Sequence, residues 1–249
     1  MGLLDGKIAV ITGAGSGMGK ASVAVFVREG AKVVAADISG AQDDTAAEVG
    51  SNVVPVHCDV TKESDVEAMI HTAVEQFGRV DALLNVAGIA EGVMLTDVTM
   101  EHYDRTMDID LRGVLLGMKH GVRAMLAAGD GSNGGAIVNW SSIGGLNASP
   151  GTTVYSAAKA GVIAITKAAA VEYGRKNIRV NAICPGYIHT EIMGASLDQM
   201  PTASANTPLK RLGQAHEVAE VAGFLVSNRA SFVSGAIIPV DGGRSVLIA

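Results

Sequence analysis

The stretch K-I-A-V-I-T-G-A-G-S-G-M-G, Lys7–Gly19, decides the fold. Its first half is a short β-branched run without polar alternation, the mark of a strand buried on both faces. Its second half sets four glycines, Gly13, Gly15, Gly17 and Gly19, against a pattern that predicts a helix over Met18–Glu29. Glycines let such a turn be tight and let a ligand approach the backbone. The helix start offers free N–H groups and the positive end of its dipole to a phosphate. The spacing G-x-G-x-x-G fails, because Met18 stands at its last glycine position. The spacing that fits is G-x-x-x-G-x-G, through Gly13, Gly17 and Gly19. A glycine turn alone can be structural; between a first strand and a first helix it favours a nucleotide.

Outward from that stretch the rhythm repeats. Short apolar runs over Ile8–Ile11, Lys32–Ala36, Val53–His57, Ala82–Asn85, Ala136–Trp140, Arg179–Ile183 and Ala236–Pro239 predict seven strands. Helical patterns lie between them, notably over Met18–Glu29, Glu63–Phe77, Met100–Ala128, Thr153–Tyr173 and Ala215–Val226. Strands alternating with helices predict βαβ units with right-handed crossovers. The expected fold is α/β: a doubly wound, Rossmann-type, seven-stranded parallel sheet with helices on both faces, a single domain over residues 1–249. Its ligand should sit at the carboxyl ends of the strands. A chain of 249 residues suits one such domain. It buries roughly three quarters of its unfolded surface, so it needs no disulfide or metal staple. The segment Gly129–Gly135 is the loosest and reads as a surface loop.

Net charge is −6 with no block of like charge, so neither a nucleic-acid stripe nor a polybasic membrane patch is expected. Cys58 and Cys184 stand far apart and read as reduced cytosolic thiols. Six histidines at no ligand spacing predict no metal site. The first strand begins near Lys7 with no charged leader or apolar core before it; no signal peptide is expected, and the cytoplasm is the expected compartment. The apolar stretch Ala157–Val171, broken by Lys159 and Lys167, reads as too short for a bilayer span. Its small residues suit close packing, on the sheet or against another subunit.

Asp37 ends the second strand, where a carboxylate can accept both hydrogens of an adenosine ribose diol and repel a 2′-phosphate. Neither Ser16 nor Ile38 offers that phosphate a cation, which favours NAD over NADP. Tyr155–Lys159 reads Y-S-A-A-K, and residues four apart share a helix face. A free phenol, with a pKa near 10, is a poor base at neutral pH, and a nearby ammonium favours its ionised form. Moving a phenol to about 7 takes roughly 4 kcal/mol, which a desolvated lysine and a cationic nicotinamide ring can supply together. Tyr155 is thus a candidate general acid/base. Ser142, thirteen positions earlier and just past a strand, can hydrogen-bond a substrate oxygen; without Tyr155 and Lys159 it would read as a strand-end turn.

Together these motifs resemble those of the short-chain dehydrogenase/reductase family, over nearly the whole chain. T-G-A-G-S-G-M-G (Thr12–Gly19) resembles the family's cofactor turn. C-D-V (Cys58–Val60) resembles the stretch whose aspartate, here Asp59 beside Val60, contacts adenine. N-V-A-G, with Asn85, Ala87 and Gly88, resembles the family's N-N-A-G, Val86 replacing its second asparagine. The resemblance implies Ser142 as catalytic serine, Tyr155 as general acid/base, and Lys159 as its activator and a ligand of the nicotinamide ribose. P-G-Y-I-H-T (Pro185–Thr190) resembles the segment that holds the carboxamide, with Pro185, Gly186, Ile188 and Thr190. The family's fourth catalytic position is usually asparagine, whose main-chain carbonyl positions a water beside the lysine. Asp110 stands there, in I-D-L. The carbonyl survives the exchange, whereas an ionised aspartate side chain only accepts hydrogen bonds.

The resemblance also implies a homotetramer built partly on the Tyr155 helix, and a substrate lid at about residues 190–210. Ile192, Met193, Leu197 and Met200 in that lid suit a hydrophobic substrate, or merely seal the fold. The expected activity is NAD-dependent interconversion of a secondary alcohol and a ketone, of hydroxysteroid or cyclic-alcohol type. Two alternatives stand beside it: 3-ketoacyl reduction on a carrier protein, and a dinucleotide sensor without turnover.

Overall fold

The computed structural model describes residues 2–128, 134–190 and 200–247. Seven strands form one parallel sheet: β1 (Ile8–Thr12), β2 (Lys32–Asp37), β3 (Val53–His57), β4 (Ala82–Asn85), β5 (Gly135–Trp140), β6 (Ile178–Pro185) and β7 (Ile237–Val240). Their order is β3-β2-β1-β4-β5-β6-β7. The sheet is doubly wound, as expected. The chain reverses its direction of travel across the sheet between β1 and β4, which opens a crevice at their carboxyl ends.

Strand alternation explains the apolar runs. Ala9, Ile11, Val33 and Ala35 face one layer, with α1 (Gly17–Arg28) and, in the same apolar cluster, Val218 and Ala222 of the last long helix. Ile8, Val10, Val34 and Ala36 face the other, against Val66 and Met69 of α3 (Glu63–Phe77). Both faces are covered, so apolar residues predominate at both sets of alternate positions.

Two elements differ from expectation, and a third, formed over the residues expected, differs only in its apolar span. A helix α2 (Ala41–Val49) follows β2; its sequence A-Q-D-D-T-A-A-E-V carries too little apolar periodicity to announce it. The helix expected over Met100–Ala128 is α4 (Met100–Met107), a π turn (Asp108–Arg112) and α5 (Gly113–Ala127). The third is α6 (Thr153–Tyr173). Continued through its closing 3₁₀ turn to Lys176, it is long and apolar enough, by length and composition, to cross a membrane. This corrects the shorter span read between Ala157 and Val171. Val154, Ala158, Val162 and Ala169 of α6 are buried in the domain, which accounts for part of its apolarity; 33% of its most apolar stretch is buried.

Past β6, Ile188–His189 pairs in parallel with Gly213–Gln214, just before α8 (Ala215–Val226). Between them runs a short helix α7 (Met200–Ala205). The expected lid residues Ile192, Met193 and Leu197, and residues 129–133 of the expected loop, lie outside the described residues.

Candidate active site

The glycine turn is built by contact with its neighbour. The Thr12 hydroxyl accepts the N–H groups of Val86 (3.0 Å) and Ala87 (3.1 Å), tying the end of β1 to the loop after β4. Gly13 has φ +67°, and a Cβ on it would lie 2.9 Å from the Ala87 nitrogen. Gly17 has φ +49° and opens α1, whose N-cap Ser16 makes no side-chain cap. The first-turn N–H groups are therefore left for a ligand.

This turn brings Gly13, Ser16, Met18 and Gly19 to one wall of a cleft of about 250 Å³. Asp37, Ile38, Asp59 and Val60, from the ends of β2 and β3, line its outer part; Ala87, Gly88 and Thr190 line its inner part. Cys58, Ile89 and Ile109 line it too. They were not anticipated, although Cys58 and Ile89 adjoin motif residues. Burial pushes the Cys58 thiol up to about 12, with Asp65, Asp59 and Asp37 adding to the shift, so it stays protonated. Burial works to raise the Asp59 carboxyl, but hydrogen bonds from Thr61 and the charge of Lys62 outweigh it and hold it low.

Asp37, the expected ribose acceptor, also has partners within the chain. Its Oδ2 accepts the Gly15 N–H at 2.9 Å, and its Oδ1 accepts the Ser39 N–H (2.9 Å) and hydroxyl (2.7 Å). The carboxylate thus also fastens the glycine turn. Asn85 goes elsewhere: it is buried, donates to Asn139 Oδ1 at 2.8 Å, and does not line the cleft. Strand alternation turns it with Leu83 toward the α5 layer, where a Cβ on Gly117 would strike its amide oxygen.

A second chamber of about 130 Å³ is lined by Ser142, Tyr155, Lys159, Pro185, Gly186 and Ile188. It shares Met18, Val86, Gly88, Ile89 and Thr190 with the first. Ser142 Oγ accepts the Gly144 N–H at 3.0 Å, which leaves its own proton free to donate. The Tyr155 ring packs against Gly144, where a Cβ would meet it at 3.1 Å. The Ser141 hydroxyl donates to the Lys159 carbonyl at 2.8 Å, anchoring α6 to the end of β5.

Lys159 is 4% exposed. Its Nζ lies 3.3 Å from Asp110 Oδ1, donates to the Trp140 carbonyl at 3.3 Å and stands 5.7 Å from the centroid of the Tyr155 ring. Asp110 Oδ1 also accepts the Ile89 N–H at 3.0 Å. Burial opposes the charge on Lys159, but the Asp110 carboxylate and Tyr155 outweigh it and hold its pKa above that of an ordinary lysine. Burial pushes the Asp110 carboxyl up, against Lys159 and the Ile89 N–H. Two donors on one carboxylate oxygen favour the ionised pair.

The donor set fits a dinucleotide: a glycine cradle at a helix start, a carboxylate at the end of β2, and a lysine deep in the adjoining chamber. Comparison with known proteins runs the same way. Residues 13–245 match the family model described as enoyl-(acyl carrier protein) reductase. The chain is 44% identical, over 97% of each sequence, to a cis-4-hydroxycyclohexanecarboxylate dehydrogenase of Sinomonas cyclohexanicum. It is 39% identical to a 3-oxoacyl-(acyl-carrier-protein) reductase of Thermotoga maritima, over 96% of this chain and 98% of that one. A crystal structure of levodione reductase superposes with a TM-score of 0.92 at 35% identity, over 98% of this chain and 100% of that one.

Proposed function

Because this chain belongs to the short-chain dehydrogenase/reductase family, oxidoreductases that act on CH–OH groups, we propose that it interconverts a hydrophobic cyclic secondary alcohol and its ketone, with NAD as hydride carrier. The observation that carries the reading is the continuity of the two chambers. A tyrosine, a serine and a lysine line one, a phosphate-binding turn lines the other, and five residues are common to both.

When bound, the dinucleotide gives or takes the hydride at its nicotinamide. In this reading the chain's own residues do the rest. Glycines and the start of α1 hold the pyrophosphate. Asp37 takes the adenosine ribose, Asp59 lies near the adenine, and Pro185, Gly186, Ile188 and Thr190 flank the nicotinamide end. The Tyr155 hydroxyl exchanges a proton with the substrate oxygen. Ser142, its Oγ already accepting from Gly144, donates to that same oxygen. Lys159 supplies the positive charge that favours an ionised phenol.

NAD over NADP is supported by Asp37 and by the lack of lysine or arginine among the described residues lining the cleft. A cyclic alcohol is supported by the names of the relatives and by an apolar lining in which Lys159 is the lone charged side chain among the described residues. The test is a panel of cyclic alcohols, hydroxysteroids and 3-ketoacyl thioesters, assayed with NAD and NADP in parallel. Turnover of cyclic alcohols with NAD is expected. Activity confined to 3-ketoacyl thioesters with NADPH would replace this reading with the carrier-protein reductase. In the same assay Asp37→Ala should weaken NAD by about tenfold or more, since it removes the ribose acceptor and unties Gly15 at once. An unchanged NAD affinity would refute that double role.

A homotetramer forms part of the proposal. Leu115 is 50% and Val171 84% exposed, and a hollow between α5 and α6 is lined by Leu115, Leu126 and Ile165. Burying such apolar surface against another copy is favourable. Sedimentation should give about four times the chain mass of 25.4 kDa, and Leu115→Glu should yield smaller species. A monomeric wild type would refute it.

A further inference from the structure

The aspartate at position 110 does something an asparagine cannot. The side chain reaches neither chamber. It is presented from the π turn Asp108–Arg112, at 0% exposure, directly behind Lys159. The chain makes room for this pair at Gly88, where a Cβ would lie 2.6 Å from Asp110 Oδ1 and 3.1 Å from Lys159 Nζ. Oδ1 is used twice, by Lys159 and by the Ile89 N–H. Oδ2 is buried with no partner.

The other groups nearby do not duplicate this charge. Glu91, on the loop after β4, is held by Arg105 at 2.7 Å and by His102 at 3.4 Å. Cys184, from β6, is a buried thiol, and burial keeps it protonated. Tyr155, four residues earlier on α6, adds a negative charge beside Lys159 only when its phenol ionises. Asp110 is therefore the countercharge of the lone charged side chain, among the described residues, that lines the reaction chamber.

We propose that Asp110 is a positioning residue that sets the preference of the site for the oxidised over the reduced cofactor: its carboxylate partly offsets the charge of Lys159, so that a cationic nicotinamide ring meets less repulsion while the lysine still favours the ionised phenol. This rests on the dinucleotide-dependent reading above. The oxidised and reduced rings differ by one positive charge. An uncompensated lysine weakens the oxidised form selectively, while contacts to adenine, ribose and pyrophosphate are common to both forms. With the carboxylate in place the chain is poised for alcohol oxidation. With a neutral residue there, binding shifts toward the reduced cofactor.

The test is equilibrium binding to the purified enzyme, without turnover. Dissociation constants for the oxidised and reduced cofactor, and for ADP-ribose, are measured for wild type, Asp110→Asn and Asp110→Ser. The cofactor pair is NAD or NADP, whichever the wild type binds. Asp110→Asn keeps the shape and removes the charge. Its ratio of oxidised to reduced dissociation constants should rise roughly tenfold, the size expected for a unit charge about 12 Å away at an effective dielectric of about 20. ADP-ribose, which lacks the ring, should bind as before. Asp110→Ser should move the ratio in the same direction. An unchanged ratio in either variant that still binds ADP-ribose overturns the proposal. So does loss of ADP-ribose binding in both, which would assign Asp110 a purely structural role. A wild type that binds no dinucleotide overturns the functional reading itself, and the inference with it.

Discussion

Tyr155→Phe should lower kcat by about two to four orders of magnitude and leave the dissociation constant of NAD within about twofold. The substitution removes one oxygen and nothing else that the structure uses. The ring that packs against Gly144 is retained. So is the aromatic face 5.7 Å from the Lys159 ammonium. Lys159 keeps its bonds to Asp110 and the Trp140 carbonyl, so the α6 register and the cofactor wall should persist. What vanishes is the group proposed to exchange a proton with the substrate oxygen. Stopped-flow or steady-state turnover on any substrate found in the panel, paired with calorimetric NAD titration, makes the measurement. Turnover near the wild-type rate would remove Tyr155 from the chemistry.

Gly19→Ala should be the most damaging single change to cofactor binding, weakening NAD by more than tenfold and destabilising the fold by about 1–3 kcal/mol. The added methyl group would land on the Gly13 carbonyl. The turn has little room to retreat, because the Ala87 nitrogen lies so near Gly13 that a Cβ added there would sit 2.9 Å from it. Ala87 in turn is held by the Thr12 hydroxyl. Relief must come from moving the start of α1, and with it the N–H groups that face the pyrophosphate. Thermal unfolding and NAD titration check both parts. An alanine variant with wild-type affinity would show that the turn has slack which these contacts deny.

The parts legible in sequence are those written in local pattern. The seven strands show because burial on both faces demands unbroken apolar runs. The first βα turn shows because its glycines interrupt such a run at one place. Tyr155 and Lys159 show because helix geometry alone puts them on one face. Other features depend on partners far along the chain. The helix after β2 is short and nearly polar throughout, bracketed by Gly40 and Gly50, and its pattern resembles a loop. The π turn hides inside a helical pattern, because one wider turn displaces the periodicity by a single residue. The direct bond between Asp110 and Lys159 follows from that displacement and from the absence of a side chain at Gly88. Motif likeness placed Asn85 with the cofactor; strand alternation turns its side chain to Asn139. Asp37 was read for its place after β2, whereas its grip on Gly15 spans 22 residues of sequence, beyond the reach of any local pattern.

The parallel pairing of Ile188–His189 with Gly213–Gln214 bears on how such a protein can change its diet. It works as a clasp that pins together the two ends of the excursion between its halves. Residues inside the clasp can be exchanged, lengthened or shortened at the modest entropic cost of altering a closed loop, provided that the contacts of Thr207 and Leu209 with Gly242 and of Arg211 with Glu217 are kept. Grafting residues 191–206 from a relative with another appetite is the natural route to a new specificity, because the residues proposed to handle proton and hydride lie outside that segment.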